Sequence, residues 1–191
     1  MDKMNEIDEI QQRLQKLMEN HRLQEIKNKF AGKKILICGK GRDGECGTKC
    51  ADSLSKDKCG YHQRLEIRNF LKEKADMIGY VLDGVIDKNE PIIEREKMII
   101  TEEDIDVILI FLDASGSHIE LLDFAVNNEC KAQIILCIKD EFSPYGQRDG
   151  VLTSKVKECI MKKQCIQITF TENRNICELS YNILCDYFRY N

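Results

Sequence analysis

The run Asp106-Val107-Ile108-Leu109-Ile110-Phe111-Leu112 constrains this chain more than any other stretch. Six consecutive apolar residues, rich in β-branched side chains, are too few for a buried helix. They also lack the polar alternation of a half-exposed strand, so they read as a strand covered on both faces. Four further runs share this character: 34–39, 77–82, 132–138 and 166–170. Between them the period changes to that of a helix. In His62 to Lys74 the buried side is assigned to Leu65, Ile67, Phe70 and Leu71, and the wet side to Arg64, Arg68 and Lys72. Ile92 to Ile100 follows Pro91, a residue suited to a helix's first turn. Ser117 to Asn127, Val151 to Lys163 and Asn173 to Tyr190 are the remaining helical stretches. Strands alternating with helices predict an α/β fold with a parallel sheet.

Five such strands suit a flavodoxin/Rossmann-like, doubly wound sheet of order 2-1-3-4-5, whose switch point lies between strands one and three. Ahead of the first strand stands a long N-terminal amphipathic helix. Ile7, Ile10, Leu14 and Leu17 recur at 3-and-4 spacing, and Leu23, Ile26 and Phe30 continue a shifted stripe up to Gly32. Two readings of it stand side by side: a helix packed on its own domain, or one that pairs with another copy, two heptads being too few to prove a coiled coil. The expected organisation is therefore 1–31 as this helix and 32–191 as the α/β domain.

A net charge of −4 gives no reason to expect general nucleic-acid binding, which draws on a basic excess. No apolar run reaches the roughly 20 residues that cross a bilayer. The start, Met1-Asp2-Lys3-Met4-Asn5-Glu6, lacks the apolar core of a signal peptide, so a cytoplasmic location without membrane insertion is expected. The chain has ten cysteines, many of them in apolar runs (Cys38, Cys137, Cys159, Cys177, Cys185). There they read as small buried hydrophobes rather than as a disulfide framework.

In a sheet of this order ligands bind beyond the carboxyl ends of the strands. Here those ends are Gly39–Gly44 and Asp113–Glu120. After strand three the chain turns at Gly116 and enters a helix, whose first amides favour an anion. Glu120 falls in that first turn, where an ionised carboxylate can attack, or stabilise, a sugar carbon developing positive charge. A second reading of the same residues is purely structural, since Ser117-x-x-Glu120 is a capping-box pattern. Asp113 orients a ligand or turns the chain, and His118 faces the ligand or the solvent. Ser115, Gly116 and Ser117 are placed to hold hydroxyl or phosphate oxygens. After strand one, Gly39-x-Gly41-x-x-Gly44 matches a dinucleotide fingerprint, yet Glu45-Cys46-Gly47 opens no helix there. Lys40 and Arg42 face the same cleft as phosphate partners or remain solvated loop charges. Tyr80 and Asp83 flank the site or serve only the strand end.

Cys46, Cys50, Cys59 and His62 fall within 17 residues. Three thiolates and an imidazole suit tetrahedral zinc, although their spacing lacks paired Cys-x2-Cys knuckles. Incidental loop cysteines and a redox-sensitive pair are the other readings.

The succession of an apolar strand, then Asp113-x-Ser115-Gly116-Ser117-x-x-Glu120-Leu121, then an alanine-containing helix resembles the active-site segment of the nucleoside 2-deoxyribosyltransferase-like superfamily. More distantly it is similar to TIR-type NAD hydrolases. The likeness spans 33–170 as strand order, with specific residues agreeing only in this segment. The resemblance implies that Glu120 attacks C1′ of a nucleoside, nucleotide or NAD and frees the base, with Asp113 holding the sugar or base. It implies no required cofactor, zinc being at most structural. Chains of this kind often act as effectors in antiviral defence. The alternative is a non-catalytic nucleotide-sensing or assembly module that uses residues 2–31 for self-association or a partner; under either reading a homo-oligomer through the N-terminal helix is expected.

Overall fold

All six residues of strand β3, Val107–Leu112, are buried, which places it at the centre of the molecule. The computed structural model describes residues 2–40, 59–82, 92–112, 131–139, 165–170 and 175–191, with single positions 124, 154, 158 and 162, and only the backbone at 2–10 and 139. Around β3 are helix α1 (Asp2–Phe30), strand β1 (Lys34–Cys38), helix α2 (Gly60–Ala75), strand β2 (Ile78–Tyr80) and helix α3 (Ile92–Glu102). After it come β4 (Gln133–Lys139), β5 (Cys165–Phe170) and helix α4 (Ile176–Tyr190).

The five strands form one sheet of order β2-β1-β3-β4-β5, and every pair is parallel. The α/β fold and strand order expected from the sequence are thus those observed. Register follows from burial on both faces. Ile35, Ile37, Val107, Leu109, Phe111, Ile135 and Cys137 point to one side and Leu36, Cys38, Ile108, Ile110, Leu112, Ile134, Leu136 and Ile138 to the other. A one-residue slip would interchange the two sets. The first side is covered by Phe30 of α1, by Ile67 and Leu71 of α2 and by Leu184 and Cys185 of α4. The second is covered by Ile99 and Ile100 of α3, with Phe124. Cys38, Cys137 and Cys185 are buried among these apolar side chains, as small hydrophobes are.

Two boundaries differ from expectation. β2 keeps only three of its six expected residues, because it is an edge strand paired with the first half of β1 (Lys34↔Ile78 to Leu36↔Tyr80), while Met77 turns into the core. α4 begins at Ile176 rather than Asn173, because the Asn175 side chain caps it, accepting from the Cys177 and Glu178 amides. The helix expected at Val151–Lys163 is described at Ser154 and Glu158, both helical, and at Lys162, a turn residue whose amide donates to the Glu158 carbonyl at 3.0 Å.

The amino ends of the strands are tied by paired charges. Asp106, just before β3, accepts from Lys33 Nζ at 2.9 Å and from the Lys34 backbone amide at 2.8 Å. Glu103 accepts from Tyr80 Oη at 2.7 Å and from Lys34 Nζ at 3.3 Å. The Tyr80 hydroxyl and the Lys34 ammonium hold the Glu103 carboxyl below its usual range. Burial, with Glu103 alongside, pushes the Tyr80 phenol up. Tyr80 is therefore committed to the end of the sheet opposite the expected cleft.

Candidate functional site at the carboxyl end of β1

β1 ends at Cys38 and is followed by Gly39, whose φ of +153° is a conformation that side-chain-bearing residues rarely adopt. A Cβ at Gly39 would stand 3.1 Å from Cβ of Phe111 on β3 and 3.7 Å from Cδ of Arg64. Gly60, the first residue of α2, lies against the Lys40 backbone so closely that a Cβ would overlap the Lys40 carbonyl. These two glycines bring the chain leaving β1, the end of β3 and the start of α2 together.

Arg64 was expected on the wet face of α2. It is instead 3% exposed, on the buried stripe with Ile67 and Leu71. The reason is spacing: Arg64, Ile67 and Leu71 stand at i, i+3 and i+7, one side of a helix. Arg64 Nη1 donates to the Ile37 carbonyl at 3.2 Å. Among the described residues Nε has no acceptor, and none forms an ion pair with the guanidinium. A guanidinium carries five N–H donors, and a buried charge ordinarily has an ionic partner.

On the other face of β1 lies a second buried ionisable side chain. Glu96 of α3 is wholly buried, and Cys38 Sγ donates to its Oε1 at 3.7 Å. Its spacing from Ile92, Ile99 and Ile100 marks the apolar stripe of α3, so periodicity could have located it. A guanidinium and a carboxyl thus approach the end of one strand from opposite sides.

At the start of α2, Cys59 Sγ and His62 Nδ1 are 3.0 Å apart, the proton lying on either atom according to the imidazole tautomer. The Tyr61 ring meets the imidazole at 5.5 Å in an edge-to-face arrangement. Cys59 occupies the N-cap position without capping through its side chain. Half of the expected Cys46, Cys50, Cys59 and His62 quartet is therefore brought together, while Cys46 and Cys50 lie outside the described residues. Among the described residues no group of three or more His, Cys, Asp or Glu side chains converges.

Of the expected ligand-binding residues, Gly39 and Lys40 stand at the carboxyl end of β1, with Lys40 exposed. Gly41, Arg42, Asp83, Asp113, Ser115, Gly116, Ser117, His118 and Glu120 lie outside the described residues. No helix among the described residues is long and apolar enough to cross a membrane. No model of a known protein family matches the chain, and neither does any curated protein.

Proposed function

We propose that this chain breaks or transfers the N-glycosidic bond of a nucleoside, nucleotide or NAD, with Glu120 as nucleophile or oxocarbenium stabiliser and Asp113 orienting the sugar. The carboxylate attacks C1′, and the C1′–N bond breaks with its electron pair leaving on the base, which takes up a proton. Water, or a second base in a transfer, then releases the sugar and restores the carboxylate. Ser115, Gly116, Ser117 and His118, with Gly39, Lys40, Gly41 and Arg42 across the switch point, bind the substrate. The protein acts in the cytoplasm as a homo-oligomer assembled through α1.

One observation supports a phosphate-bearing substrate above a bare nucleoside: the Arg64 guanidinium, buried at the carboxyl end of β1 with an Nε that meets no acceptor among the described residues. An anionic oxygen group of a substrate is the counter-charge that none of the described residues supplies. The strand order supports the same place, since β1 and β3 flank the switch point and Asp113 is the next residue after β3.

The test is incubation of the purified protein with adenosine, AMP and NAD, followed by chromatography for released base. Release from AMP or NAD, abolished by Glu120→Gln, is expected. Binding of AMP without release of base at any protein concentration would leave a nucleotide-sensing module in place of an enzyme. Absence of both binding and release would overturn the proposal.

A further inference from the structure

We infer that α1 joins two copies of this chain as an antiparallel helix pair, centred near residue 12. This rests on the self-association part of the proposal above and not on its chemistry.

The helix runs from Asp2 to Phe30, about 43 Å at 1.5 Å per residue. Among its described side chains, residues 11–30, contact with the core is made in the last turns: Phe30 is buried in it, and Ile26 packs against it. Every residue from 11 to 25 is exposed, including Leu14 at 55%, Leu17 at 64% and Met18 at 73%. A helix owes most of its stability to packing of an apolar face, and an isolated one is marginal in water.

The described part of the body leaves that face exposed at Leu14 and Leu17. At about 100° per residue, Ile26 and Phe30 fall on the side of the helix opposite Leu14 and Leu17. One stripe therefore docks α1 on its own domain and the other points away from it. In sequence, Leu14 and Leu17 continue the spacing of Ile7 and Ile10, the four standing at the a and d positions of two heptads. His21 and Gln24 follow at the next such positions and end the apolar series.

Charge decides the occupant and its direction. Residues 2–12 carry four acids (Asp2, Glu6, Asp8, Glu9) against Lys3 alone, whereas residues 13–22 carry Arg13, Lys16 and Arg22 against Glu19 alone. A second copy laid antiparallel sets the acidic stretch of each helix beside the basic stretch of the other. It also sets position 7 opposite 17 and position 10 opposite 14, so all four layers of the seam are apolar and join an a to a d position. A parallel pair would align acid with acid and base with base, which is unfavourable.

The test uses the full chain. Sedimentation across the micromolar range is expected to show a monomer–dimer equilibrium that raised NaCl weakens, because screening removes the attraction between the halves. Leu14→Glu with Leu17→Glu, both at exposed positions, is expected to give a folded monomer, with folding checked by circular dichroism. Orientation is read by a photo-cross-linker, Met4→benzoylphenylalanine, followed by trypsin. An antiparallel pair joins it to the peptide 17–22 of the other copy. Cross-linking to peptide 4–13, or a dimer that salt strengthens, would overturn the antiparallel arrangement while leaving self-association intact. A monomer throughout the range, or a dimer indifferent to the double substitution, would overturn the seam itself.

Discussion

The two ends of the sheet handle charge in opposite ways. At the amino end, Lys33, Lys34, Asp106, Glu103 and Tyr80 form partly exposed pairs that tie the starts of β1 and β3 to each other and link β1 and β2 to the residue after α3. At the carboxyl end of β1, Arg64 and Glu96 are buried in the apolar stripes of α2 and α3, and Arg64 meets only a backbone carbonyl among the described residues. The amino end spends its polar groups on the fold. The carboxyl end holds a desolvated guanidinium for which the described residues supply no counter-charge, and a buried ionic group replaced by a well-packed apolar one often leaves a protein as stable or more so. Departures of this kind concentrate where a protein binds or reacts.

The largest expected effect tests the chemistry at the carboxyl end. Glu120→Gln should lower base release by about 10³-fold or more, the scale of a lost catalytic group, with stability unchanged. If Ser117 and Glu120 act only as a capping box, the same variant should instead lose stability, on the order of 1 kcal/mol, and keep its activity. Next in size is the amino end. Asp106→Ala leaves the Lys34 amide and the Lys33 ammonium without their acceptor and should cost about 1–3 kcal/mol in urea unfolding, with any nucleotide binding retained. A loss of binding at full stability would break the contrast between the ends.

Zinc analysis of protein purified without chelator bears on the Cys59–His62 pair. A quartet completed by Cys46 and Cys50 requires one zinc per chain, and substoichiometric metal contradicts it. The smallest effect is at Glu103. Its carboxyl is held low by Tyr80 and Lys34, so its contribution to stability is present at neutral pH and lost as pH falls through the folded-state value. Tyr80→Phe should raise that value toward the ordinary carboxylate range and make the acid loss shallower, as read by carbon-detected NMR titration.

How much of this was legible beforehand follows from the same contrast. Apolar runs such as 107–112 carry their own evidence, because a strand buried on both faces has no other composition available to it. The parallel sheet and its order followed from them. Arg64 was misplaced because a charged residue in a helix was assigned to the wet side by type, although its spacing from Ile67 and Leu71 put it inside. Glu96 was given no side, although its spacing from Ile92, Ile99 and Ile100 put it inside. Tyr80 was left between two roles, and only the geometry shows its hydroxyl on Glu103. The exposed stripe of α1 was visible as a pattern, but whether its own domain covered it depended on where Ile26 and Phe30 dock. The segment 113–120, which carries the proposed reaction, lies outside the described residues, and its reading still rests on sequence.

The most direct test of the contrast is Arg64→Met, measured twice: by urea unfolding without ligand and by the rise in melting temperature that AMP produces. The expected result is a stability equal to the wild type or higher by about 1 kcal/mol, together with loss of the AMP-induced rise. A variant destabilised by several kcal/mol that still responds fully to AMP would show that Arg64 is a structural pin for α2 on β1, and that the carboxyl end is built on the same terms as the amino end.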